Sequence, residues 1–150
     1  MHQIIITQEE KQRELGYEIC MFRETCKELF SGTRRSQFWR NLLVESFALH
    51  MRVLIDFFYS DERKYDDDIV AQDLLPDDVR WKELRPPLIK LLKEAKTKAD
   101  KQLAHLSCNR IILEKEGRKG WKILEISNEI NKIINFFEEI KKQKSFKSSS

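Results

Sequence analysis

Glycine and proline are scarce in this chain, at four and three of 150 residues. Those residues punctuate the turns between short strands, so their scarcity disfavours a many-turned β protein and favours long helices. Cysteine is scarce too. Cys20, Cys26 and Cys108 form no CxxC pair and no even framework, which excludes a disulfide scaffold and predicts free thiols in a reducing compartment. No apolar run approaches the roughly 18 residues of a membrane span. The opening MHQIIITQEE lacks the basic start and apolar stretch of a signal peptide, so a cytoplasmic protein without membrane contact is expected. Charge of one sign is also lacking, with 28 basic against 25 acidic side chains and a net charge of +3. Four lysines fall in the closing KKQKSFKSSS, which leaves the rest close to neutral. A basic face for DNA is therefore not predicted.

What is present is helical periodicity. The length fits one domain, predicted over 1–142, with a disordered Lys/Ser tail over 143–150. Thr7 and Glu10 match a capping box, in which hydroxyl and carboxylate each satisfy a free amide at a helix start. Leu15, Ile19, Phe22, Cys26, Leu29 and Phe30 then repeat at helical spacing up to Ser31-Gly32, a plausible stop. The second helix, over about 36–60, reads SQFWRNLLVESFALHMRVLIDFFYS. Its apolar arc includes Phe38, Trp39, Leu42, Leu43, Phe47, Leu49, Val53, Leu54 and Phe57, so a central helix contacted from several sides is expected. Asn41, Glu45, Arg52 and Asp56 form its polar strip.

Residues 61–85 carry nine acidic against five basic side chains and are divided by Pro76. Short helical turns near 68–75 and 78–83 are predicted there, pinned by Leu74, Leu75 and Trp81. A third helix is expected to open at Pro86 or Pro87, with Leu88, Leu92, Ala95, Ala99, Leu103 and Leu106 as its stripe. After a connection containing Ile111-Ile112-Leu113, a fourth runs from about Trp121 to Lys142 on a stripe of isoleucines and Phe137. The predicted fold is all-α: a four-helix bundle with a long acidic connection carrying short helical turns.

Candidate chemistry centres on histidine. His105 falls about 110° from the centre of its helix's apolar stripe at 100° per residue, on a flank shared with Glu94, Lys98 and Lys101. It reads either as a general acid or base or as a helix-end histidine interacting with the helix dipole. His50 sits inside the apolar arc of the second helix, which predicts a buried ring satisfied by Ser46 or a backbone carbonyl. The alternative has His50 facing His105 across a groove. Arg52 and Asp56, four apart, read as an exposed ion pair or as a contact line for a partner subunit together with Glu45. His2, His50 and His105 have no ligand pair at helical spacing, and Asp66-Asp67-Asp68 lacks the spaced oxygens and glycine of a calcium loop, so no metal or other cofactor is predicted.

The helix NLLVESFALHMRVLIDFFY, the acidic connection and a helix closing on DKQLAHLS together resemble bacterial HEPN-type helical-bundle proteins. That superfamily often carries an "RNKxxAH" style pattern on a late helix. Asp100, Lys101, Ala104 and His105 match its later part, while Ala99 stands where the arginine would be, with Lys98 and Lys101 nearby. The resemblance implies a homodimer with motif histidines facing a cleft and, in active members, metal-independent RNA cleavage by arginine and histidine. Lysine lacks the bidentate fork of arginine. The expected function is therefore a non-catalytic binding or regulatory module touching RNA or a protein partner. An endoribonuclease using His105 and a protein–protein scaffold are the alternatives.

Overall fold

The computed structural model describes residues 5–103 and 120–147. Among these, helices are the regular structure and no strand is present. Helix α1 spans Gln8–Phe30 and α2 spans Gln37–Tyr59, each with its own start signal. The capping box at Thr7 and Glu10 forms as expected, and the Ser36 hydroxyl accepts from the Trp39 amide to open α2. Past Ser31, Gly32 takes a φ of 70°, the left-handed conformation that a residue without Cβ adopts at low cost.

The acidic connection contains a 3-10 turn at Ala71–Leu74 and a short α3 at Trp81–Leu84, inside or beside the two predicted zones. It is clasped to the helices by polar contacts. Phe58 lies in the last turn of α2, where carbonyls lack an intrahelical donor. Its carbonyl accepts from the Trp81 indole N–H at 2.7 Å and from Arg85 Nη1 at 3.1 Å. Gln72 donates to the Val79 carbonyl and accepts from the Trp81 amide, tying the two halves of the connection together. Trp81 and Leu75 are buried and Leu74 is partly buried, as the sequence suggests.

Helix α4 spans Lys90–Leu103 and α5 spans Ile123–Lys147. Neither proline lies in the first turn of α4, contrary to expectation. A proline disfavours helical backbone at the residue before it, so Arg85 and Pro86 both precede a ring that resists helix, and Arg85 is extended with ψ of 143°. The Ile89 carbonyl accepts the first helical bonds instead, from Leu92 and Lys93. Helix α5 starts two residues later and ends five residues later than predicted.

Helix α2 contacts α1, α4 and α5, and α5 also contacts α1 and α4. Paired cross-links show that α1/α2 (Glu18–His50 and Thr25–Ser46), α2/α4 (Arg52–Asp100 and Asp56–Lys96) and α1/α5 (Gln12–Lys141 and Arg23–Asn131) each run antiparallel. Inside lie Phe22, Phe47, Phe58 and Phe137 with Met51, Leu54, Leu92 and Ile130, all essentially sealed from solvent. Phe58 meets Phe137 and Trp81, and Trp81 meets Phe137 edge-on at 5.1 Å, a geometry favoured by the ring quadrupoles. The small Ala95 and Ala99 of α4 are buried as predicted. One side of α2 departs from expectation. Phe38, Trp39, Leu42, Leu49 and Val53, read as part of a buried arc, are exposed. Helices α1, α4 and α5 contact α2 and leave these side chains uncovered.

Candidate functional site

His105 and Ala104 lie outside the described residues, as do Leu106, Cys108 and the Ile111–Leu113 trio. The alternative in which His50 faces His105 therefore also lies outside the described residues. Of the remaining candidates, His50, Arg52, Asp56 and Asp100 sit on two helix–helix seams.

His50 is buried, 6% exposed, as its helical phase predicts. Its partner differs from the expectation. Ring Nδ1 lies 2.7 Å from Glu18 Oε2 of α1, and the Tyr17 ring stands edge-on to it at 6.0 Å. Ser46, the expected partner, shares a hydrogen bond of 3.1 Å with Thr25 instead. Antiparallel packing of α1 on α2 decides this. It brings a carboxylate level with His50 and a hydroxyl level with Ser46, so each polar group entering the seam finds a partner of its own.

On the α2/α4 seam, Arg52 and Asp56 do not pair with each other as the spacing suggests. Arg52 Nε is 2.5 Å from Asp100 Oδ1, and Lys96 Nζ is 3.0 Å from Asp56 and 3.9 Å from Asp100. Arg52 Nε and Asp100 Oδ1 are sealed from solvent, and their alignment makes an ion pair and not a directed hydrogen bond. The four charges alternate in sign across the seam and neutralise one another. Such a network aligns two helices and contributes modestly to stability, because the side chains remain a third or more open to water. Lys98 turns away from this network. Its ammonium donates to the Gly120 carbonyl at 2.5 Å and lies 4.7 Å from the centre of the Trp121 ring, a cation–π contact. Lys101 is exposed.

The structure therefore divides the predicted site residues between seams. Arg52, Asp56 and Asp100 share one. His50 lies on another, and Lys98 lies against the start of α5. Lys96 joins the first group although sequence reading passed over it; its spacing of four before Asp100 was the available signal. A further feature was also missed, an open groove of about 520 Å³ between the start of α4 and α5. Ile89 and Leu91 form one wall, and Asn128, Asn131 and Asn135 stand along the other. Arg23 of α1 donates to the Asn131 and Asn135 side-chain oxygens at 2.8 and 3.1 Å, which fixes the amides on that wall. The asparagines recur at helical spacing, a signal visible in the sequence once α5 is recognised.

Among the described residues, no three His, Cys, Asp or Glu side chains gather so as to hold a metal ion. No described helix is long and apolar enough to cross a membrane. Comparison with family models, curated proteins and solved structures found no match.

Proposed function

We propose that this all-helical protein is a non-catalytic binding module, HEPN-like in design, that works by contact with a protein partner. The exposed apolar face of α2 carries this reading. Phe38 is 65% exposed, Trp39 57%, Leu49 48%, Leu42 40% and Val53 37%, all on one helix. Large apolar side chains left exposed together on one helix point to an interaction site, because leaving them in water is unfavourable. The charged candidates support the same reading in a different way. Arg52, Asp56, Lys96 and Asp100 are matched to one another across the α2/α4 seam, and His50 is matched to Glu18. Groups so matched hold helices together and leave little charge to spend on a substrate.

One observation favours catalysis as a second reading. Arg52 of α2 reaches Asp100, the neighbour of Ala99 and five residues ahead of His105 in sequence. A guanidinium from another helix thus stands near the position where the motif places its arginine. Its pairing with Asp100 opposes that role, since a neutralised cation stabilises a phosphate transition state poorly.

The test is incubation of the purified protein with mixed RNA in EDTA, beside His105→Ala. No cleavage by either protein is expected. Cleavage by wild type that disappears in His105→Ala would replace the binding reading with the ribonuclease. Salt-sensitive retention of RNA without cleavage would shift the partner from protein to RNA.

A further inference from the structure

We propose that the exposed end of the α1–α2 hairpin docks on a membrane surface carrying anionic lipid, with Phe30, Phe38 and Trp39 entering the interface and Arg34 and Arg40 meeting the headgroups. The inference goes beyond the partner-binding reading, which keeps Leu49 and Val53 farther along α2. The expectation of no membrane contact rests on the lack of a spanning run, and attachment at the surface needs none.

Shape is the first support. Cys26 is the last buried residue of α1 and Phe47 the first of α2, so the hairpin between them stands clear of the core. The stretch of α2 from Gln37 to Ser46 is about 15 Å of helix at 1.5 Å per residue. Trp121, just before α5, meets Phe47 edge-on at 6.1 Å, so α2 continues past the start of α5. Phe38, Trp39, Arg40 and Asn41 are exposed in succession, and at 100° per residue they take up the whole circumference of the helix. A protein groove covers one face of a helix and leaves the opposite face in water. The interface of a bilayer surrounds an end of this kind from every side.

Composition is the second support. Phe38 and Trp39 pack edge-on at 5.8 Å while both remain more than half exposed, and Phe30 ends α1 half exposed. Such rings settle at the headgroup level, where the apolar body and the indole N–H of tryptophan are both satisfied. No Asp or Glu occurs between residues 29 and 44, whereas Arg34, Arg35 and Arg40 do. Glu28 takes Arg35. Arg34 and Arg40 are exposed, and their guanidiniums make no hydrogen bond or ion pair among the described residues. Both charges are therefore open to lipid phosphate, an attraction that salt screens.

Co-sedimentation of the full chain with vesicles tests the proposal, with circular dichroism confirming helicity of each variant. The chain should bind vesicles of mixed phosphatidylserine and phosphatidylcholine, bind phosphatidylcholine alone far less, and lose affinity as salt rises. Phe38→Ala and Trp39→Ala should each weaken binding roughly ten-fold, and Arg34→Gln and Arg40→Gln roughly five-fold each. Arg13→Gln, an exposed charge near the start of α1, should leave binding unchanged. Brominated acyl chains should quench wild-type tryptophan emission and spare Trp39→Phe, because Trp81 is buried in the core. No binding to the mixed vesicles overturns the proposal and leaves the partner-binding reading standing. Binding indifferent to Trp39→Ala and Arg40→Gln also overturns it, and assigns attachment to the lysines of the closing KKQKSFKSSS. Retention of mixed RNA that Arg34→Gln and Arg40→Gln abolish, without vesicle binding, would assign this end to nucleic acid instead. RNA cleavage would defeat the partner-binding reading and leave the vesicle result standing.

Discussion

Glu18 and His50 allow a quantitative check on how the α1/α2 seam is held. The perturbation is a double-mutant cycle built from Glu18→Ala and His50→Phe. Phenylalanine keeps a ring against the edge of Tyr17, so the second substitution removes mainly the polar contact. In Glu18→Ala, a buried imidazole loses its carboxylate, and leaving a buried polar group unmatched costs about 1–3 kcal/mol. The Glu18 side chain is still 24% exposed, which lets water take up part of the loss. The lower half of that range, about 1–2 kcal/mol, is therefore expected for Glu18→Ala. His50→Phe strands the carboxylate at the same half-open position and should cost a similar amount. In the double variant neither group is stranded, so its loss should fall short of the sum of the singles by about 1 kcal/mol. Urea unfolding followed by helical circular dichroism at neutral pH measures all four proteins. All four proteins are compared at one fixed concentration. Additivity within about 0.5 kcal/mol would show that the two side chains are not energetically coupled. The seam would then be held by Phe22, Phe47 and their apolar neighbours together with the Thr25–Ser46 hydrogen bond.

Two further outcomes follow from the titrating groups. Burial pushes the Cys26 thiol up to about 11, whereas Cys20 is exposed. In a Cys108→Ser background at pH 8, a thiol reagent should modify Cys20 quickly and Cys26 only on unfolding; equal rates would show that the core opens around Cys26. The Lys82 ammonium and Arg85 guanidinium hold the Asp61 carboxyl below its ordinary value of 3.8. A depressed carboxyl contributes stability that is complete above the ordinary value and disappears as pH falls through the lower native one. Asp61→Asn should therefore lower stability at neutral pH and reduce its acid dependence below pH 3.8, and unchanged acid unfolding curves would rule out that linkage.

Much of the helical frame was legible because its signals are local. Thr7 and Glu10 close a capping box three residues apart, Ser36 caps α2, and the stripe Leu92, Ala95 and Ala99 repeats at helical spacing. The site was less legible. The partners of His50, Arg52 and Asp56 come from 32, 48 and 40 residues away in the chain, at Glu18, Asp100 and Lys96. No local pattern specifies which rung of one helix stands beside which rung of another. Spacing alone therefore favoured Arg52–Asp56, two groups on the same helix.

By itself the sequence determined that the chain is all-helical, where α1 and α2 begin, and that Phe22, Phe47, Trp81 and Ala99 are core residues. Those outcomes depend on backbone capping and on the 3.6-residue period, both of which operate within a few turns. Tertiary structure decided the rest. It set the antiparallel registers that give His50 a carboxylate and match Arg52 to Asp100. It also decided which side of an almost wholly apolar helix stays in water. Periodicity can show that α2 is apolar nearly all round, but only the positions of α1, α4 and α5 leave Phe38, Leu42, Leu49 and Val53 uncovered.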